Sequence, residues 1–321
     1  MRMFSWAASD TGKKRDHNED SFLVDGALEL YAVADGMGGH QGGGHASRLA
    51  LEVLRREIAG TNGDFDAAAA RLVGGVRKRK GRDTARVSGD DPTGNVQPRK
   101  EDAALEDTLD GVEATPLPEA PPEVRAGGRP AYDTPTEPAP VVVPAAEVIM
   151  SFAARKAGHE IFDAAQEDPA LQGMGTTLTA VLHKHGHLHY AHAGDSRVYL
   201  FRDGKLRQLT EDHSWIWEQI KSGAMSEAEA KISKFRHIIT RSVGFERDLD
   251  VDTGGIALQA GDCFLLCSDG MSNYVDNEEL ERILGANWFR RAPRLLIDIA
   301  NDRGGDDNIT VVVVYAANDA G

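Results

Sequence analysis

Four acidic signatures sit where apolar, strand-like runs end or begin, far apart in the chain. Asp35-Gly36 follows LYAVA, Asp195 follows LHYAHAG, Asp269-Gly270 follows CFLLCS, and Asp307-Asn308 precedes ITVVVV. A carboxylate at the mouth of a buried strand is costly unless it has a partner. Carboxylates converging from distant sequence suggest a cage for hard divalent cations, and with it metal-assisted hydrolysis at phosphorus. A fifth cluster, Arg15-Asp16-His17-Asn18-Glu19-Asp20, leads into SFLVD. Its arginine has the planar fork of donors that grips a phosphate, and Glu19 and Asp20 could hold a metal directly or through water. Each cluster alone has a plainer reading: a solvated charged turn, a hairpin turn at Gly194-Asp195-Ser196-Arg197, an Asx-turn at Asp306 or Asp307. Their joint occurrence is far more specific than any one of them.

Short elements must carry these residues to one place. HASRLALEVLRREIAG has helical spacing, with Leu49, Val53, Leu54 and Ile58 on one face, and FDAAAARLVGGV continues as a second helical piece. EVIMSFAARKAGHEIFDAAQED reads as an amphipathic helix stopping at Pro169. Strands TTLTAVLHK, HLHYAHAG, SRVYLFRD and KLRQLT follow, joined by tight HG and DG turns. A polar helical region from Ser214 to about Arg236, strands in GIALQAGDCFLLCSDG, helices near 277–285 and 289–303, and the strand ITVVVVY complete the chain. Hairpin connections predict an α+β fold of two antiparallel sheets packed face to face with helices outside, rather than a doubly wound parallel sheet.

Composition narrows the function classes. The chain has 321 residues, 41% of them apolar, and a formal charge of −15, which argues against a nucleic-acid backbone as partner and is compatible with cation binding. The first twenty residues lack the apolar core of a signal peptide, and VVVPAAEVIMSF is interrupted by Pro144 and Glu147, so a soluble cytoplasmic protein with no membrane partner is expected. Cys263 and Cys267 share one face of one strand with Leu265. There they pack as small hydrophobes, cannot close a disulfide and make a poor zinc site, as suits a reducing cytosol. Residues 77–145 stand apart: they hold eleven of the thirteen prolines and Tyr132 as their only aromatic, opening with RKRKGR and turning acidic. Such a stretch buries too little apolar surface to offset its chain entropy and reads as a disordered insertion in one domain, since acidic signatures lie on both sides. Thr115-Pro116 and Thr134-Pro135 within it suggest regulation or docking; a tolerated surface expansion is the plainer reading.

Other motifs carry less. The glycine run after Asp35 invites a nucleotide-binding loop, but the position required for G-x-G-x-x-G is Gln41 or Ser47, and no Gly-Lys-Ser/Thr follows. His183, His185, His187, His189 and His192 crowd one hairpin, yet alternation about Gly186 splits them across faces, predicting an exposed polar tip rather than a metal site. Trp215 and Trp217 read as packing residues.

In order along the chain, RDHNED, VADGMGGH, GMGTTLTAVL, HAGDSRVYLFRDGKL, LTEDHS, ITRSVG, LLCSDGM and GGDDNITVVVV resemble the metal-dependent PPM family of protein serine/threonine phosphatases (protein phosphatase 2C-like), in its bacterial form. The likeness covers nearly everything outside 77–145. It implies a four-layer α-β-β-α sandwich with two Mn²⁺ or Mg²⁺ ions between the sheets. By motif position, Asp35 would bridge the ions, Gly36 would ligate through its carbonyl, Asp269 and Asp307 would complete the set, and Glu19 and Asp20 would act through water. Arg15 would hold the substrate phosphate, Asp195 with Asp269 would form a third metal site, and residues 213–241 match a flap beside the active site. The implied activity is hydrolysis of phosphoserine and phosphothreonine in proteins by a metal-activated water, opposing a bacterial serine/threonine kinase. No covalent phosphoenzyme is needed, and neither cysteine has an arginine six residues later. Where many eukaryotic relatives have a histidine as proposed general acid, this chain has Met37; His40 stands three residues on, and a water is the preferred proton donor. The alternatives are a catalytically silent phosphoprotein- or metal-binding signalling module, against which Arg15, Asp35, Asp269 and Asp307 argue, and a small-molecule phosphomonoesterase.

Overall fold

The computed structural model describes residues 1–38, 42–83, 143–235, 237–286 and 289–318. Its chain forms one body of Met1–Arg77 and Val143–Gly321 and a second unit of Lys78–Val142. Strands β1 (Arg2–Asp10), β2 (Ser21–Asp25), β3 (Leu30–Ala34) and the two-residue β4 (Gly36–Met37) lead into helices α1 (Gly42–Ala59) and α2 (Phe65–Asp83). Then come α3 (Ala145–Glu167), β5 (Gly175–Thr176), β6 (Leu178–Lys184), β7 (His187–Ala193), β8 (Arg197–Arg202) and β9 (Lys205–Gln208). Short helices α4 (Trp215–Lys221) and α5 (Glu227–Ile232) are followed by β10 (Asp252–Ala257), β11 (Cys263–Cys267), α6 (Asp269–Ser272), α7 (Asn277–Ala286), α8 (Ala292–Asp302) and β12 (Ile309–Ala317).

Two five-stranded sheets result, ordered β1-β12-β11-β8-β9 and β10-β7-β6-β3-β2, with every pairing antiparallel. The run ITVVVV is apolar save for Thr310 because β12 is buried on both faces. Val312 and Val314 meet Tyr31, Val33 and Val181 between the sheets, while Val311 and Val313 meet Leu280, Leu296 and Ile297 of α7 and α8. On the far side, Val53, Leu54 and Ile58 of α1 and Ile149, Met150 and Ile161 of α3 cover Leu30, Ala32 and Leu182. Each such side chain contributes about 1.5–3 kcal/mol by leaving water. Three apolar layers between four structural layers make the α-β-β-α sandwich. Cys263 and Cys267 are free and buried beneath α7 and α8 with Leu265.

Some details differ from the sequence expectation. β1 had no counterpart there, yet it pairs with the whole of β12, from Arg2 opposite Ala317 to Asp10 opposite Ile309. Its small residues Ser5, Ala7, Ala8 and Ser9 conceal the alternation that marks a strand. The helical region after Ser214 is two helices, broken at Gly223, whose φ of 76° no helix accepts. α2 continues past residue 77 to Asp83; residues 84–142, and with them most of the expected disordered insertion, lie outside the described residues. No described helix is long and apolar enough to cross a membrane.

Candidate metal centre

Asp35 stands where β3 ends. Its backbone N–H donates to the Thr177 hydroxyl at 2.9 Å, and its carbonyl accepts from the Thr177 N–H and the Thr176 hydroxyl. These bonds tie β3 to the β5–β6 junction and aim the half-buried carboxylate out of the sheet. Gly36 is glycine for a packing reason: a Cβ there would lie 2.2 Å from the Gly43 carbonyl oxygen and 2.5 Å from that of Glu19. Three backbone segments meet at that point, so the Gly36 carbonyl belongs to a crowded, rigid turn.

Asp269 is the first residue of α6, where β11 gives way to one helical turn, and its Oδ2 accepts from the Asn273 amide at 3.1 Å. Close approach again demands glycine next door, since a Cβ on Gly270 would lie 2.0 Å from the Asn308 carbonyl oxygen. Asp195 is buried at the β7–β8 turn, behind Gly194 with φ of 117°. Asp307 precedes β12; one of its oxygens accepts from the Asn308 N–H and the other from Arg15 Nη2 at 2.7 Å. Arg15 and Asp307, read separately as a phosphate ligand and a metal ligand, are thus paired with each other. Lys13–Asp302 and Lys14–Asp306 extend this pairing of the N-terminal loop with the turn before β12.

Glu19 and Asp20 complete the group. The buried Asn308, to which the sequence analysis assigned no role, holds this loop: its Oδ1 accepts from the Glu19 N–H, and its amide donates to the carbonyls of Thr11 and His17. Asp20 Oδ2 accepts from Ser268 at 2.8 Å. Only the position of Asn308, directly after Asp307 and ahead of a buried strand, hinted at its part.

The electrostatics of the group are those of crowded, buried carboxylates with less counter-charge than charge: Arg15 pairs with Asp307, and Arg197 and His237 offset only part of the rest. Burial, then the charges of Asp20, Asp269, Asp195 and Asp307, push the Asp35 carboxyl well above its ordinary range. Burial, then Asp269 and Asp212, do the same to Asp195. Asp269 is raised by burial and by Asp307, with His237 of the flap segment pulling the other way. Asp20 is raised to about 7, chiefly by burial. Among the described residues five buried side-chain oxygens have no hydrogen-bond partner, and four of them are carboxylate oxygens of this group: Glu19 Oε1, Asp20 Oδ1, Asp195 Oδ1 and Asp269 Oδ1. Unpartnered buried polar atoms are rare and need an explanation, and hard oxygen donors around a low-dielectric pocket fit Mg²⁺ or Mn²⁺. Among the described residues no three acidic, imidazole or thiol groups stand ready-made to enclose an ion. A cation here would therefore rely on the Gly36 carbonyl and on water as well, which such ions accept.

The flap expectation, 213–241, covers a segment closed at its base. Trp215 and Thr240 donate backbone N–H groups to Ile238 and His213, and beyond it Val243 exchanges two backbone bonds with Thr176, beside Asp35. Trp215 packs edge-on against Phe235. Of the hairpin histidines, only His185 and His187 form an exposed tip. His183 pairs with Glu29, and His189 and His192 are buried, because β7 is covered on both faces. His192 lies between Thr179 and the Glu211 carbonyl, 4.7 Å from the ring of His213. His40 lies outside the described residues.

A cluster of buried carboxylates at the strand ends of a two-sheet α-β-β-α sandwich is what the fold presents. Comparison with known proteins then gives the family: the protein phosphatase 2C model matches residues 12–294, and the chain belongs to that family. It is 39% identical over 161 residues to the serine/threonine phosphatase stp of Listeria monocytogenes, covering 50% of this chain and 64% of that protein. It is 38% identical over 149 residues to the protein phosphatase PhpP of Streptococcus pneumoniae, covering 46% and 61%. The matched part thus spans less than two thirds of these relatives. Among solved structures, the Mycobacterium tuberculosis serine/threonine phosphatase PstP/Ppp superposes with a TM-score of 0.69 at 27% identity, covering 99% of this chain and 100% of that one. The catalytic domain of PstP in complex with two manganese ions gives 0.66 at 26%, covering 98% and 99%.

Proposed function

We propose that this protein hydrolyses phosphoserine and phosphothreonine in other proteins with the help of Mn²⁺ or Mg²⁺, opposing a serine/threonine kinase. The observation that carries the reading is the set of four unpartnered carboxylate oxygens around Asp35, with an arginine at its edge. The family, and relatives described as serine/threonine phosphatases, support it. Bound divalent cations supply Lewis acidity, which acidifies water near neutral pH and neutralises phosphoryl oxygens.

The chain's own residues do the rest. Asp35 would hold two ions, with the Gly36 carbonyl, Asp269 and Asp307 as further ligands and Glu19 and Asp20 acting mainly through water. Asp195, with Asp269, would hold a third ion. Arg15 would bind and orient the phosphoryl group through its donor fork, and in doing so leaves Asp307. Met37 has no proton to give; a water is the preferred donor to the leaving group, with His40, outside the described residues, as the alternative. The test is turnover of a phosphothreonine peptide and of an aryl phosphate with Mn²⁺, with chelator, and by Asp269→Asn. Turnover lost in chelator and in the variant supports the mechanism; full activity in both overturns it.

A further inference from the structure

Beside the centre lies a groove that shares Glu19 and Asp20 with it and carries one residue, Arg48, that the proposed chemistry does not use. One part, of about 420 Å³, is lined by Asp20, Ser21, Phe22 and Arg48; a second, of about 270 Å³, by His17, Glu19, His45 and Arg48. Asn18 and Arg48 border both. The Arg48 guanidinium lies over Gly44, where a Cβ would come within 3.3 Å of Nη1. Two turns along the same helix, Arg55 pairs with Asp25 and Arg56 with Glu57 and Glu160. Arg48 makes no hydrogen bond or ion pair with any described residue. On a chain of charge −15, Arg48 is the one full cation lining either recess, and no described residue engages it. Glu19 and Asp20 face the same groove with the opposite charge and mark the side on which the reacting phosphate would lie. Phe22, 42% exposed, gives the groove an apolar wall.

We propose that Arg48 forms a second anion subsite, which takes an acidic side chain of the substrate, carboxylate or second phosphate, close to the phosphorylated residue. The subsite rests on the phosphoprotein-hydrolysis reading and adds sequence selectivity to it. A guanidinium suits both anions, because its fork binds two oxygens at once.

The test compares three phosphothreonine peptides that differ only in the flanking positions within three residues: glutamate, glutamine or phosphoserine. An aryl phosphate checks the chemistry itself. Wild type is expected to favour the glutamate over the glutamine peptide about fivefold in kcat/KM, through KM, the factor of one solvent-exposed charge pair. That ratio should fall to about one in Arg48→Gln, be partly kept in Arg48→Lys, and shrink at high salt. A ratio taken within one variant cancels any general loss of active protein. A larger preference for the phosphoserine peptide assigns the subsite to a second phosphate; an equal or smaller one assigns it to carboxylates. Equal turnover of the glutamate and glutamine peptides by wild type, or a preference that survives Arg48→Gln, overturns the proposal while aryl phosphate turnover leaves the chemistry standing. If wild type hydrolyses nothing, the chemistry falls. Fluorescence anisotropy of the same peptides then decides the subsite, by whether wild type binds the glutamate peptide more tightly than Arg48→Gln does.

Discussion

Asp20→Asn should make the metal-free protein more stable at alkaline pH while weakening its response to metal. The Asp20 carboxyl is pushed up to about 7 from an ordinary value of 3.8, mainly by burial and further by Asp269 and Asp307, against hydrogen bonds from Thr310 and Ser268. A raised carboxyl favours the protonated folded state, so its contribution is fully present below pH 3.8 and is lost as pH rises through about 7. At about 1.4 kcal/mol per pH unit, the ionised form costs the fold about 4 kcal/mol at pH 8, and some 3 kcal/mol of this is lost between pH 5 and pH 8. Asparagine removes that titration and keeps an acceptor for the Ser268 hydroxyl, but it puts an amide where Oδ1 has no partner, at a cost of about 1–3 kcal/mol. Urea unfolding of both proteins in chelator, at pH 5 and at pH 8, measures the double difference. We expect the variant to gain about 3 kcal/mol on wild type over that interval. Saturating Mn²⁺ should stabilise wild type more than the variant at pH 8. A pH-independent difference would refute the claim that these carboxylates are under electrostatic stress, and with it the argument that they await a cation.

Gly36→Ala would drive a Cβ to 2.2 Å from a backbone oxygen; calorimetry with Mn²⁺ should show weakened binding, and denaturant unfolding a loss of about 1–3 kcal/mol or more, because no flexible side chain can yield. His192, held to about 4 by burial and by His213, is neutral in the fold, so its contribution is full above pH 6.5 and is lost as pH falls toward 4. The stability deficit of His192→Gln should therefore narrow by about 2–3 kcal/mol between pH 7.5 and pH 4.5, as read by denaturant unfolding. Arg15→Gln should raise the KM for an aryl phosphate and weaken competition by inorganic phosphate, with Mn²⁺ affinity kept or improved because Asp307 loses its cationic partner.

The carboxylates were legible because a strand end is a local feature: an apolar run followed by Asp declares itself within ten residues. Partners are not local. Arg15 meets Asp307 across 292 positions, and Asn308 reaches back 289 to hold Glu19, so nothing near either residue announces the contact. Burial was legible only where pattern and layer agree. ITVVVV lies between two apolar layers and reads so, whereas HLHYAHA alternates as though one face met water. Yet His189 and His192 are both enclosed, because the helix layer and the second sheet cover opposite faces of β7. β1 escaped notice for the converse reason, since its small residues fill a strand position that only β12 specifies. Gly36 was read as a glycine whose missing side chain lets its carbonyl approach a cation; the closed fold supplies a different reason for glycine there, three backbones in contact.

The pairing of Arg15 with Asp307 links the two halves of the proposed chemistry. Arg15 is half-exposed and Asp307 less so, so the bridge is weak by the standards of exposed pairs, about 0–1 kcal/mol. A divalent cation competes for Asp307 with twice the charge and no side-chain entropy to lose. Occupation of the centre would thus release the arginine at the position where a phosphate arrives, and phosphate on the arginine would release Asp307 toward the cation. Linkage makes these two statements one: if Mn²⁺ tightens phosphate binding, phosphate tightens Mn²⁺ binding by the same factor. Part of that factor should vanish in Arg15→Gln, where the competing bridge no longer exists.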